Sequence, residues 1–322
     1  RPKDLFGSKP LPVSAELKSL GHAISFRSGI SAAMARRQAC ARILMYHGVT
    51  PENTATMAAQ LRYLARHFKV ISLKTMVDRL RKDRSAGVNE LVLTFDDGLR
   101  NNLSVVYPIL RQLKMPAAFF VCPGLIGTGR WLWNHEIRCR LKTLSSEART
   151  ELRATLLSPD ASVESIVEWM KTLKLPQRQR AEAAIREATP AFYPSPTQSE
   201  AYDMMDWSDL AALDSSLITI GSHTVSHPIL TSLAAGEIEY EVRESRRLLE
   251  ERLGRAADFF CYPNGSYDSR VYQAVKNNFV AAVTTETGVL GRVDEIDLHR
   301  LPRIPSAKSP ALMAWRLHRP EA

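Results

Sequence analysis

Two adjacent acids close an apolar run. Leu91-Val92-Leu93-Thr94-Phe95 has the length and composition of a buried strand, and it ends in Asp96-Asp97-Gly98. A strand that stops this way delivers its acids to the rim of a sheet or barrel. Two neighbouring carboxylates repel unless a metal ion or a proton sits between them, or one turns away. Gly98 lets the backbone turn close to whatever the acids hold. An acidic N-cap for the helical sequence from Arg100 accounts for one Asp and leaves the other unexplained.

The second signal is Ser222-His223-Thr224-Val225-Ser226-His227-Pro228, directly after the apolar run Leu217-Ile218-Thr219-Ile220-Gly221. A spacing of four puts both imidazoles on one face of a helical turn, within reach of one ion. Two His and one carboxylate make a metal site with open positions for water and substrate. Such an ion polarises a carbonyl and lowers the pKa of its water. One Asp would then be a ligand and the other free to take a proton from that water. Amide or ester hydrolysis also needs an oxyanion donor, and the Tyr262-Pro263-Asn264-Gly265 turn offers a backbone N–H.

These residues must be held by regular elements. Apolar runs near 43–46, 70–73, 91–95, 117–122, 217–221, 258–262, 279–285 and 298–304 read as strands, most of them separated by helical sequence. This alternation argues for a parallel α/β sheet, open or closed. Polar groups (His47, Asp96-Asp97, His223 with His227, and Asn264-Gly265) follow four of the strands, and in a barrel those ends share one face. Residues 1–40 read as a basic, helical N-terminal arm, and 41–322 as the main domain. Within that domain, about 134–205 is rich in helix formers and reads as a helical insertion that shapes a cleft.

The chain has 322 residues, 45% hydrophobic and 24% charged, enough for a large core. Its net charge of +9 is spread out, with no basic cluster interleaved with aromatics, so nucleic acid is not expected as a partner. No apolar run is long enough to span a bilayer, and the arm leaves peripheral membrane contact open. Cys40, Cys122, Cys139 and Cys261 are widely spaced and read as reduced thiols, which favours a cytoplasmic location. The chain opens Arg-Pro-Lys-Asp without Met, so a removed leader stays open as well.

Taken in order, Thr94-Phe95-Asp96-Asp97-Gly98, Ser222-His223-Thr224-Val225-Ser226-His227 and Phe260-Cys261-Tyr262-Pro263-Asn264-Gly265 resemble the motifs of the polysaccharide deacetylases with NodB homology, which remove N- or O-acetyl groups from glycans. The likeness covers about residues 41–305 outside the insertion. The start Leu44-Met45-Tyr46-His47 looks like the branch acting on poly-N-acetylglucosamine-type exopolysaccharides. The resemblance implies a distorted (β/α) barrel and a divalent metal, zinc being the expected ion. It implies an acetylated glycan as substrate. It makes Asp96 the general base, Asp97, His223 and His227 the metal ligands, and the Asn264 N–H an oxyanion donor. It also makes His299 the candidate general acid, with His47 the alternative. Many relatives carry an Arg where this chain has Cys261, and that Arg orients the base; Arg303 or Arg300 is the candidate replacement. His47, Trp131, Tyr262 and Arg303 are counted as candidate substrate contacts.

Two other readings stay open. One keeps the metal but hydrolyses a smaller amide or ester. The other is a glycan-binding protein on a deacetylase scaffold without turnover. The sequence does not name the sugar, its linkage, N- against O-acetyl, the metal or the oligomeric state.

Overall fold

Eight strands form where apolar runs were expected, and every pairing between them is parallel. The computed structural model describes residues 15–83, 87–291 and 296–320. Within these, the strands are β1 (Arg42–Tyr46), β2 (Lys69–Val70), β3 (Glu90–Phe95), β4 (Ala117–Val121), β5 (Ile218–Ser222), β6 (Phe259–Cys261), β7 (Ala281–Thr287) and β8 (Leu301–Pro305). Parallel neighbours need crossover connections, and the helical sequence between strands supplies them.

The order β1-β8-β7-β6-β5-β4-β3 closes on itself through a β1–β3 pairing, so seven strands make a barrel. β2 is an edge addition at the start of β3. Of the second apolar run, 70–73, only Val70 extends as strand, together with Lys69 before it. Leu73 already begins a helix (Leu73–Asp83), whose Leu73, Met76, Val77 and Leu80 pack with the barrel interior.

Strand alternation sorts the side chains into two cores. Ile43, Val92, Ala118, Phe120, Phe259, Cys261, Val283 and Leu301 fill the barrel. Leu44, Leu93, Phe95, Phe119, Ile220 and Ile304 face out against the helices. Continuing the β3 alternation, Thr94 and Asp96 fall on the inner side above Val92. The upper interior layer is therefore polar, and it lies at the C-terminal rim.

The arm forms two helices, Ala15–Arg27 and Ile30–Arg37, separated at Gly29, whose φ of 75° only a residue without Cβ adopts freely. Residues 1–14 of the arm lie outside the described residues. Between β4 and β5 run six helices, Trp133–Thr143, Ser146–Leu156, Val163–Lys171, Leu175–Ala188, Pro196–Tyr202 and Trp207–Ala211. Four of them share a core of their own, built on Ile137, Leu141, Leu152, Ile166, Met170 and Ile185. The end of this segment is tied back to the barrel rim. Arg100 N–H donates to the Asp203 carbonyl at 2.7 Å, and Met205 N–H to the Gly98 carbonyl at 3.0 Å.

Gly221 on β5 leaves room that its neighbours use. A Cβ there would sit 2.6 Å from Phe120 Cδ1 and 2.9 Å from the Phe259 carbonyl oxygen. Gly221→Ala is expected to destabilise the fold by about 1–3 kcal/mol through overpacking. Urea unfolding should show a lower midpoint at an unchanged slope.

Candidate active site

The Asp doublet divides at the end of β3. Asp96 keeps the strand direction, its N–H bonded to the Tyr46 carbonyl at 3.0 Å. Asp97 turns away with φ 80°, followed by Gly98 at φ 77°. The two carboxylates then enter different environments, which relieves the repulsion between them.

Asp97 meets the two histidines. Its Oδ1 lies 3.6 Å from His223 Nε2 and 3.6 Å from His227 Nε2, and one ligand atom from each residue lies within 4.8 Å of the others. A separation of 3.6 Å is too long for a hydrogen bond. It is close to the edge of about 3.3 Å that a tetrahedral ion with bonds of about 2.0–2.1 Å sets between its ligands. His223 Nδ1 donates to the Cys261 carbonyl at 2.7 Å, so its Nε2 carries the lone pair toward Asp97. His227 Nδ1 is buried and has no partner among the described residues. Burial lowers the pKa of both imidazoles and takes His227 down to about 3, which keeps them neutral. Burial pushes the Asp97 carboxyl up, but His47, His227 and His223 outweigh it and hold it below the usual range. Two neutral imidazoles and one carboxylate around a single point fit a divalent cation.

The His pair does not converge on a helical turn, as the spacing of four suggested. Residues 223–229 are irregular, with Thr224 at φ 66° and His227 at φ 57°. Two left-handed residues fold the segment back on itself and bring the rings to 4.8 Å between centroids. Glu241 pins this loop by accepting from Ser226 N–H at 2.9 Å and Ser226 Oγ at 2.6 Å. It stands in a π-helical turn (Tyr240–Glu244) between the helices Ala235–Glu239 and Ser245–Leu253.

Asp96 is gripped by Arg303 from across the barrel. The guanidinium donates to Asp96 Oδ1 and Oδ2, both at 2.8 Å, and its other bonds go to the Thr284 carbonyl at 2.7 Å, Thr94 Oγ1 at 3.0 Å and Cys261 Sγ at 3.2 Å. All five N–H donors of the side chain are thereby used. Burial alone would raise the Asp96 carboxyl, but Arg303 overrides it and holds the pKa well below the usual carboxylate range. Arg303 is fully buried with no donor left over, so its expected place as a substrate contact is corrected: it positions Asp96. Arg300 lies outside the barrel, bonded to the Tyr267 hydroxyl at 2.6 Å.

Three further expectations are corrected by position. His299 lies outside the barrel wall, with Nε2 on the Phe279 carbonyl at 2.9 Å and its ring facing Tyr272, away from both Asp residues. It precedes β8, whereas the site is built on the opposite strand ends. Tyr262 points outward into the cluster of Phe260, Val271 and Phe279, fully buried, and its hydroxyl donates to the His299 carbonyl at 3.1 Å. Trp131 is 8% exposed, and its indole N–H donates to Asp203 at 2.8 Å. Its ring packs 5.4 Å from that of Tyr202, so it supports the wall of the cleft rather than forming its surface.

Asn264 stands at the C-terminal end of β6 with φ 54°, and Gly265 follows at φ 68°. A Cβ on Gly265 would lie 1.7 Å from Thr285 Oγ1, so this turn requires glycine to seat against β7. His47 at the end of β1 has a side chain 54% exposed, and its Nε2 lies 4.0 Å from Asp96 Oδ2.

An open cleft of about 660 Å³ lies over Asp97, with Tyr46, His47, His135, Tyr202 and Lys308 among its walls. No motif or spacing in the sequence singles out Tyr202, Lys308 or His135. His135 reaches the cleft with Tyr202 packed 4.6 Å from its ring, and no spacing in the sequence announces that pairing.

Residues 83–283 match the family model described as polysaccharide deacetylase. The chain belongs to the polysaccharide deacetylase family. As a member it is a hydrolase of the polysaccharide deacetylase type on a NodB-type (β/α) barrel. It is similar to YxkH of Bacillus subtilis (strain 168), whose name carries the polysaccharide deacetylase assignment provisionally, at 20% identity over 85% of this chain and 75% of that one. Among solved structures it resembles IcaB from Ammonifex degensii, with TM-score 0.57 and 18% identity over 87% of this chain and 98% of that one. It also resembles the Streptococcus pyogenes deacetylase PplD in complex with acetate, with TM-score 0.56 and 19% identity over 84% and 95% of the two chains.

Two outcomes test this geometry. Elemental analysis of the purified deacetylase should find one divalent ion per chain, lost in His227→Ala. The Asp96–Arg303 pair adds stability at every pH above the unfolded Asp value of about 3.9, and that stability drains away as the pH falls further. Arg303→Met leaves Asp96 buried and unpaired and should cost about 3–5 kcal/mol at pH 7. Urea midpoints should show the gap between the two proteins narrowing toward pH 3.

Proposed function

We propose that this deacetylase is metal-dependent and removes N-acetyl groups from an N-acetylhexosamine polysaccharide or its lipid-linked precursor, with poly-N-acetylglucosamine the leading candidate. The observation that carries the reading is the pairing of two separately held acids at one rim. Asp97 faces His223 and His227, and Asp96 is locked by Arg303 beside them. The start Leu44-Met45-Tyr46-His47 supports the choice of glycan, and the open cleft suits a chain better than a small amide. A cytoplasmic location belongs to the same proposal, from the four free thiols.

Asp97, His223 and His227 would hold the ion, zinc in this reading, which when bound supplies Lewis acidity to the acetamide carbonyl and acidifies a water. Asp96 takes the proton of the attacking water. Arg303 keeps it ionised at every working pH and fixes its oxygens in space, at the cost of some basicity. His47 is placed to return a proton to the leaving amine: it borders the cleft, is half-exposed and stands next to Asp96. It takes over the role expected of His299. The Asn264 N–H receives no backbone acceptor among the described residues and remains available to an oxyanion.

Acetate release from poly-N-acetylglucosamine and chitin oligomers is the direct assay, and a chelator should abolish it. Asp96→Asn and His47→Gln should each lower kcat by about 10²–10⁴, the usual range for a lost acid or base. His299→Ala should leave kcat within about threefold. Stoichiometric metal without acetate release from any acetylated glycan would instead favour a glycan-binding role.

A further inference from the structure

The arm helices carry apolar side chains on two faces, and only one is covered. Inward, Phe26 packs on Tyr63 at 5.1 Å between ring centroids, His22 on Trp315 at 4.9 Å, and Ala32 and Ala35 are buried. A Ser25–Ser31 hydroxyl bond of 2.8 Å closes the corner between the helices. The buried Arg42 guanidinium donates to the Ala35 carbonyl at 2.9 Å and to Gln38 at 2.7 Å, which ties the second helix to the barrel. The pair is thus a fixed part of the body.

Outward, Leu20 and Ile24 lie four apart on the first helix, and Ile30 and Met34 four apart on the second, between 41% and 59% exposed. They are four of the eight exposed large apolar side chains among the described residues, concentrated on two short helices. The charge around them is mostly positive. The two helices, from Ala15 to Arg37, hold Lys18, Arg27, Arg36 and Arg37, all four exposed, against a single acid, Glu16.

We propose that this helical pair is a membrane-docking surface for an anionic lipid leaflet. Exposed aliphatic side chains beside four cations and a single acid match a surface with acyl chains below and negative headgroups above. A second copy of the chain fits less well, because a two-fold contact would set the same four cations against themselves. The aliphatic chains would enter the headgroup boundary while the Lys and Arg heads stay at the phosphates. Docking would hold the enzyme on the bilayer without any segment that crosses it. The inference stands apart from the choice of glycan.

Co-sedimentation of the full chain with vesicles tests it. Binding is expected to mixed phosphatidylglycerol–phosphatidylcholine vesicles, weakened by high salt, and not to phosphatidylcholine alone. Leu20→Ser/Ile24→Ser and Arg36→Gln/Arg37→Gln should each weaken vesicle binding by about tenfold. Their circular dichroism and thermal midpoints should match the parent, which shows that the fold is kept. Absence of binding by the parent chain, or undiminished binding by both variants, would overturn the proposal. So would a concentration-dependent dimer in analytical ultracentrifugation that Leu20→Ser/Ile24→Ser abolishes, since the face would then belong to a second copy.

Discussion

Carrying an ionised carboxylate into the interior of a barrel is costly, and the upper half of this one is arranged around doing so. Asp96 is 2% exposed and Arg303 fully buried, so each is viable only because of the other. The guanidinium has five donors and all of them are engaged, by a carboxylate, a hydroxyl, a backbone carbonyl and a thiol from three strands, β3, β6 and β7. Thr94 in turn donates to the Leu44 carbonyl at 2.8 Å. This network fixes the Asp96 oxygens without any contribution from the substrate. It also accounts for Cys261: the small thiol leaves the guanidinium room to reach Asp96 and accepts one of its bonds.

Backbone strain gathers at the same rim. Seven non-glycine residues among those described have positive φ, and four of them are Asp97, Thr224, His227 and Asn264. Each such residue costs of the order of 1–3 kcal/mol, so they persist only where the surroundings impose them. The imposing contacts are visible: Glu241 on Ser226, the Cys261 carbonyl on His223, and Thr285 against Gly265. The site is therefore held in its working shape by the barrel and its helices. Positions that would relax in isolation are kept aligned by groups outside the site.

The segment between β4 and β5 adds the outer wall of the cleft. It has its own apolar core, yet its last residues return to the rim through Asp203 and Met205, and this return sets Tyr202 over the cleft. Trp131 anchors the return by bonding Asp203 and packing on Tyr202. The aromatic residues that stand out in the sequence thus serve as supports. Tyr202, which lines the cleft, does not stand out by spacing or composition.

How much of this could be read from the chain depends on the range of the forces involved. The strands were legible because a buried parallel strand demands an unbroken apolar run. The acids and histidines were legible as candidates because a metal site at a barrel rim would demand those residue types directly after such runs. Tyr262 is misplaced because near a strand end a shift of one residue exchanges the inner wall for the outer, and His299 because it stands before the N-terminal end of β8, at the opposite end of the barrel from the site. Nothing local says which side a side chain takes. The His pair was assigned a helical turn because a spacing of four fits one, whereas the tertiary contacts hold a left-handed loop of the same length. Arg303 lies 207 positions from Asp96, and its grip exists only once β8 closes the ring beside β1. The sequence by itself determined which residues could do the chemistry and that strands would carry them. The closed barrel decided which of them meet, because barrel closure is what sets the distances between residues far apart in the chain.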